Sequence, residues 1–143
     1  MTGYLVDTNV LSEFNRRGEP NPQVKKWLAS TPVDSLYASV VTFGEIRLGI
    51  ELLPESKRRT QLEEWLEHDL HEWFAGRLLV IDEPIFNQWA LLMARRELRG
   101  KPLDILDGLL AATALCHDLA VATRNVKDFA ELGVELSNPW EAV

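Results

Sequence analysis

Cysteine is almost absent from this chain of 143 residues. The single residue, Cys116, cannot form an internal disulfide, and there is no second cysteine with which to build a zinc site. We therefore expect a fold that is held together by its core alone, with Cys116 as a small residue inside that core.

Long hydrophobic runs are also missing. No apolar segment approaches the ~18 residues that a membrane-spanning helix needs, and the first residues lack the charged and apolar regions of a signal peptide. The length and the hydrophobic fraction of 46% suit one core. The sequence predicts a single domain over residues 1–143 that is soluble, cytoplasmic and not bound to a membrane.

Basic residues are outnumbered. There are 15 Lys and Arg against 22 Asp and Glu, which gives a formal net charge of −7. This charge excludes a protein that coats nucleic acid through a broad basic surface. It still allows a nuclease with local basic groups at 57–59, 95–101 or 124–127, although each group alone is typical of a solvated helix face. It also suits a basic partner protein.

Three carboxylates, by contrast, stand where charge is expensive. Asp7, Glu45 and Asp107 each lie in an otherwise apolar segment, and buried carboxylates are rare unless something compensates them. Like charges ~4 Å apart repel by roughly 4 kcal/mol per pair at an effective dielectric of about 20. A bound divalent cation is the simplest remedy, and an all-oxygen ligand set favours Mg²⁺ or Mn²⁺ over zinc. Such an ion can activate water for phosphodiester hydrolysis.

Strand-like and helix-like segments alternate along the chain. Strands are predicted at Tyr4–Asp7, Leu36–Ala38, Leu78–Ile81 and Leu119–Thr123, with a short edge strand at Val134–Leu136. The intervening segments have helical spacing, including a long amphipathic helix over 56–73. This alternation predicts an α/β fold with a parallel sheet covered on both faces. Sites in such folds form at the carboxyl ends of strands, where Asp7 would lie.

Each acid also has an ordinary explanation. Asp7 can cap the helix that follows it, and Asp107, three residues after the capping Asp104, can be a first-turn acid favoured by the helix dipole. Glu45 is predicted in the middle of a helix, where it has no cap to serve but can still face solvent. Composition and spacing leave these alternatives open.

Four segments in order along the chain carry a specific resemblance. They are LVDTNVLSE (5–13), SVVTFGEIRLG (39–49), DGLLAATA (107–114) and VATRNVKDF (121–129). Together they resemble the successive motifs of PIN-domain toxins of the VapC and FitB type, and residues 74–77 and 138–140 resemble the FitB-like branch. The resemblance implies a three-layer α/β/α fold with a mainly parallel central sheet. It also implies a homodimer and a Mg²⁺-dependent endoribonuclease, with Mn²⁺ as an alternative, that a cognate antitoxin inhibits. Contact with DNA would be indirect, through the antitoxin.

The resemblance also assigns the site. It implies that Asp7, Glu45 and Asp107 bind the metal, and that Asn125 occupies a fourth catalytic position where many members have Asp. Asp128 is a candidate substitute if its loop turns inward. Thr8 and Thr123 would orient waters around the ion.

Two other functions remain open from the sequence. One is a phosphatase with Asp7 as nucleophile, although Asn9 stands where such enzymes usually have a second acid. The other is a PIN-fold binding module that has lost hydrolysis, an interpretation motivated by Asn125.

Overall fold

A five-stranded, fully parallel sheet forms the centre of the molecule. The computed structural model describes residues 3–141. The strands lie in the order β3-β2-β1-β4-β5, with the bounds β1 Tyr4–Val6, β2 Leu36–Ser39, β3 Leu78–Leu79, β4 Ala120–Ala122 and β5 Leu136–Ser137. The predicted α/β fold with a parallel sheet is confirmed.

Helices connect the strands and cover the sheet. Their bounds are α1 Thr8–Ser12, α2 Pro22–Ala29, α3 Val40–Glu51, α4 Lys57–Glu64, α5 His71–Trp73, α6 Glu83–Leu98 and α7 Ile105–His117. A π-helical stretch, Trp65–Leu70, joins α4 to α5, so that the predicted long helix over 56–73 is continuous. No helix in residues 3–141 is both long enough and apolar enough to cross a membrane.

Two apolar clusters lie on opposite faces of the sheet, because neighbouring residues of a strand point to opposite sides. Val6 of β1 packs into a cluster with residues of α1, α2, α3 and the π-helical stretch. Leu5, its neighbour, packs into a second cluster with residues of α6 and α7. The result is the expected three-layer α/β/α arrangement.

Some boundaries differ from the predicted ones. β3 ends at Leu79, which pairs with Ser39, the last residue of β2. Ser39 also caps α3, so the chain turns into a helix there and Val80 and Ile81 have no strand to pair with. The last strand is shifted to Leu136–Ser137, since its register is set by pairing of Leu136 with Val121.

The prediction for Cys116 is wrong. Cys116 is exposed, because it lies in the last turns of α7, beyond the fully buried stretch 110–114.

Candidate active site

Asp7 is fixed at the carboxyl edge of the sheet. It follows β1 directly, and its backbone N–H donates to the carbonyl of Ala122 at 2.9 Å, beside the end of β4. Thr123 comes next after β4, and its hydroxyl donates to Oδ2 of Asp7 at 2.8 Å. The ends of two neighbouring strands therefore hold this carboxylate.

The carboxylate of Asp7 is both a helix cap and a buried acid. Its Oδ1 accepts from the backbone N–H of Thr8 at 2.8 Å, which caps α1. Its Oδ2 also accepts from Nδ2 of Asn9 at 3.2 Å, and the residue is only 7% exposed. A residue that only caps a helix does not need to be buried. Asp7 therefore caps α1 and also remains a candidate metal ligand.

Glu45 reaches the same place from α3. This helix begins immediately after β2 because the Ser39 hydroxyl accepts from the N–H of Val41 at 3.0 Å and caps it. Glu45 is half-buried, and its Oε1 accepts from the Thr8 hydroxyl at 3.0 Å. Thr8 thus donates its N–H to Asp7 and its hydroxyl to Glu45, which ties the two acids together.

Asp107 comes from the first turn of α7. Asp104 caps this helix by accepting from the N–H groups of Leu106 and Asp107, both at 3.1 Å. The capping role predicted for Asp104 is confirmed. The carboxylate of Asp107 is left free of that role and is half-buried.

Burial and neighbouring negative charges raise the pKa values of all three acids. Burial, followed by the charges of Asp104, Asp128, Asp7 and Glu45, raises the pKa of Asp107 to about 7. Burial raises the pKa of Glu45 as well, and the charges of Asp7 and Asp104 add to this rise against the hydrogen bond from Thr8. The pKa of Asp7 is raised by burial, against its three hydrogen bonds. One acidic site is therefore built from Asp7 after β1, Glu45 on α3 and Asp107 on α7.

Comparison with known proteins decides the family. Residues 4–135 match the PIN domain. The chain belongs to the PIN-domain family. Its PIN-domain relatives include the toxin FitB of Neisseria gonorrhoeae, with 41% identity over 95% of this chain and 97% of FitB. They also include the VapC ribonuclease Y4jK of Sinorhizobium fredii, with 38% identity over 96% of this chain and 97% of that protein.

Solved PIN-domain structures agree. The crystal structure of FitAcB from Neisseria gonorrhoeae superposes with a TM-score of 0.90 and 40% identity, covering 97% of this chain and 99% of that one. The structure of FitAB bound to the IR36 DNA fragment gives a TM-score of 0.90 at 38% identity, covering 98% and 97%. The resemblance to FitB and VapC toxins is confirmed.

The fourth position of this PIN site is less enclosed. Asn125 is exposed, and its backbone N–H donates to the Thr123 hydroxyl at 3.0 Å, while its side-chain amide makes no hydrogen bond within residues 3–141. Asp128 is exposed too, but its charge raises the pKa of both Asp7 and Asp107. The loop after β4 therefore adds negative charge to the site through Asp128, whereas the catalytic role of Asn125 stays a prediction.

Two residues of the PIN site lie outside the set predicted from sequence. Asn9 donates to Asp7 and to the Thr123 hydroxyl, and its Oδ1 accepts from the N–H of Arg124 at 3.2 Å. Asp104, predicted only as a cap, has the largest effect of any neighbouring charge on the pKa of Asp107. The one sequence signal was the pair of acids three residues apart at 104 and 107; nothing in the sequence indicated the contacts of Asn9.

The donor set fits a hard divalent cation. All the candidate ligands are carboxylate oxygen atoms, the type of ligand that hard divalent cations prefer. In residues 3–141, no three His, Cys, Asp or Glu side chains are grouped closely enough to hold a metal ion directly. Mg²⁺ usually keeps several waters and binds through one or two carboxylates, so a site without three closely grouped acids does not exclude it. Ligation by all three of Asp7, Glu45 and Asp107 stays a prediction.

The raised pKa values predict that the metal-free protein loses stability as the pH rises. Asp107 binds its proton more tightly in the folded than in the unfolded chain, so its contribution favours folding below a pH of about 4 and is lost as the pH approaches about 7. Because Asp107 is partly solvated, we expect a loss of about 1–2 kcal/mol. In EDTA, the free energy of unfolding in urea should be higher at pH 5 than at pH 8.

The variant Asp107→Asn should reduce this difference between pH 5 and pH 8, since it removes the proton-binding group. Asp82→Asn, which alters a helix-capping acid outside the site, is the matched control and should leave the difference unchanged. Identical pH profiles for the wild type and Asp107→Asn would show that the pKa of Asp107 is not raised in the folded protein.

Proposed function

We propose that this chain is a divalent-metal-dependent endoribonuclease and the toxin of a toxin–antitoxin pair. The observation that carries the proposal is that Thr8 joins Asp7 to Glu45 at the carboxyl edge of the sheet, and that α7, which carries Asp107 in its first turn, contacts both β1 and α3. The names of its relatives, a toxin and a ribonuclease, support the assignment of substrate and role.

In this proposal Asp7, Glu45 and Asp107 would hold Mg²⁺ or Mn²⁺ partly through bound waters, because no three acids in residues 3–141 are grouped closely enough for direct ligation. The chemistry supplied by such an ion is polarisation of the phosphate and a lower pKa for water. The protein orients the acids: Thr8 fixes Asp7 relative to Glu45, and Thr123 and Asn9 fix the second oxygen of Asp7. Burial and neighbouring charges raise the pKa of Asp107 to about 7 without metal, so a bound cation would compete with this proton and keep the carboxylate ionised.

We propose a homodimer with a cognate antitoxin as its protein partner, and contact with DNA only through that antitoxin. Support comes from the structures of FitAcB and of FitAB on DNA, which superpose closely on this chain. The net charge of −7 suits a cationic inhibitor. Light scattering of the purified protein tests the dimer.

The reaction class is tested by incubating the purified chain with single-stranded RNA in Mg²⁺, in Mn²⁺ and in EDTA. We expect internal cleavage of the RNA with either ion, none in EDTA, and negligible turnover of a generic phosphate monoester. Rapid turnover of the monoester would favour the phosphatase with Asp7 as nucleophile. Metal binding by calorimetry without any cleavage would favour the non-hydrolytic binding module.

The role as a toxin is tested in cells. Induction of this chain alone should arrest growth, and co-expression of a small DNA-binding protein encoded beside it should relieve the arrest. Growth that continues at high levels of the folded protein would contradict the toxin assignment.

A further inference from the structure

A groove of about 350 Å³ opens beside the acidic site. Residues from α1 and the turn after it, from α3 and from α4 line this groove. Thr8 and Glu45 of the acidic site form part of its wall, so that the groove is continuous with the candidate catalytic centre. Its volume is at the small end of the roughly 300–1,000 Å³ range of ligand pockets.

Two arginines line the groove in this otherwise acidic protein. The side chain of Arg16 is 53% exposed and donates to Oε1 of Glu13 at 2.8 Å. Glu13 is buried and also accepts from the N–H of Asn21 at 2.7 Å, so it anchors the position of Arg16. Arg58 is half-buried, donates to the carbonyl of Asn15, and has no carboxylate partner within residues 3–141.

The groove also has an unused donor and an apolar wall. Nδ2 of Asn15 is buried and has no hydrogen-bond partner in the described part of the chain, a state that costs roughly 1–3 kcal/mol. Ile50, Leu62 and Trp65 supply apolar and aromatic surface in the same groove. Guanidinium groups and an aromatic face together match a phosphate with an attached base.

We propose that this groove binds the nucleotide next to the scissile phosphate of the RNA substrate. Arg16 and Arg58 contact its phosphate, and its base packs against Trp65. The proposal rests on the proposed ribonuclease function. Its support is the continuity of the groove with Glu45 and Thr8 and the complementarity of the two arginines to phosphate, in a chain with a net charge of −7.

Binding is measured in the Asp7→Asn background, so that the RNA stays intact, by fluorescence anisotropy with a short fluorescein-labelled single-stranded RNA. Arg16→Gln and Arg58→Gln should each raise the Kd by about five- to tenfold and lower the slope of log Kd against log salt by about one. Arg17→Gln and Lys57→Gln are the matched controls, since they remove the same charge one residue away and outside the groove. They should change the Kd by less than about twofold.

A second measurement covers the case in which Arg58→Gln disturbs the fold. Crosslinking of wild-type protein to RNA that contains 4-thiouridine, mapped by mass spectrometry, should label Trp65 or its neighbours along the groove. Crosslinks confined to other surfaces would overturn the proposal, as would the absence of RNA binding.

The outcomes separate the two proposals. Equal Kd values for all four variants, with normal cleavage by the wild type, would overturn the groove assignment and leave the ribonuclease function standing. If the two arginine variants weaken RNA binding but the wild type cleaves no RNA, the groove assignment stands and the ribonuclease function is overturned. If the arginine variants weaken binding of the antitoxin but not of RNA, the groove is a protein-docking face and the proposal is wrong.

Discussion

Replacing Asp7 by asparagine is expected to reduce RNA cleavage by on the order of 10³-fold, equivalent to about 4 kcal/mol of transition-state stabilisation. Asp7 is the most buried of the three candidate ligands and has the most hydrogen bonds. Asparagine keeps its shape but removes the negative charge that a cation requires. The measurement is the initial rate of cleavage of a labelled RNA at saturating Mg²⁺ or Mn²⁺.

The same substitution should leave the fold intact. The new amide still accepts from the N–H of Thr8, while its NH₂ group would replace the oxygen that accepts from Nδ2 of Asn9 and from the Thr123 hydroxyl. Loss of these two hydrogen bonds costs about 2 kcal/mol. Removal of a buried charge whose pKa is raised by burial offsets this cost. We expect the free energy of unfolding in EDTA to change by less than about 1 kcal/mol, so that lost activity cannot be ascribed to unfolding.

Asp82→Asn is the matched control for Asp7→Asn. Asp82 precedes α6 and caps it by accepting from the N–H of Ile85 at 3.2 Å, much as Asp7 caps α1. Since asparagine is also a good N-cap, this variant should retain cleavage to within about twofold. A folded Asp7→Asn protein with full activity would refute the assignment of Asp7, and equal losses in both variants would indicate a general defect.

The sequence predicted the layers of the fold and the acids because both depend on local pattern. Alternation of strand-like and helix-like segments specifies parallel crossovers, and the carboxyl end of β1 is where a site forms in such a sheet. Glu45 and Asp107 were identifiable because each interrupts an apolar helical face. They come to the same part of the molecule because α3 and α7 contact each other.

The remaining features depend on contacts between distant parts of the chain. The hydrogen bond from Asn9 to Thr123 spans 114 positions and has no local signature, since Asp-Thr-Asn is equally typical of a simple turn. The ends of β3 and β5 are set by partner strands. Cys116 is exposed because the buried part of α7 ends at Ala114, before the last residues of the helix. The hydrophobic pattern of a short segment does not predict any of these features.

Gly108 is a further position whose importance only the structure reveals, and Gly108→Val is expected to destabilise the protein by about 2–3 kcal/mol. A Cβ at this position would lie 2.9 Å from Sδ of Met93 and 3.1 Å from Cδ1 of Trp89, both on α6. The indole ring cannot shift freely, because its Nε1 donates to the carbonyl of Ile105 at 3.3 Å. Urea unfolding at fixed pH measures the loss, and Tm should fall by about 5–10 °C.

Gly44→Val provides the matched control for Gly108→Val. Gly44 is helical and precedes Glu45, as Gly108 follows Asp107, but nothing lies within 4 Å of the Cβ it would acquire. We expect the free energy of unfolding of Gly44→Val to differ from that of the wild type by less than about 0.5 kcal/mol.

Because α7 carries Asp107, any shift of this helix away from α6 also displaces that acid from Asp7 and Glu45. Gly108→Val should therefore reduce cleavage even under conditions where it remains folded. Equal stability of the two variants would show that α6 and α7 do not pack as closely as Gly108 permits.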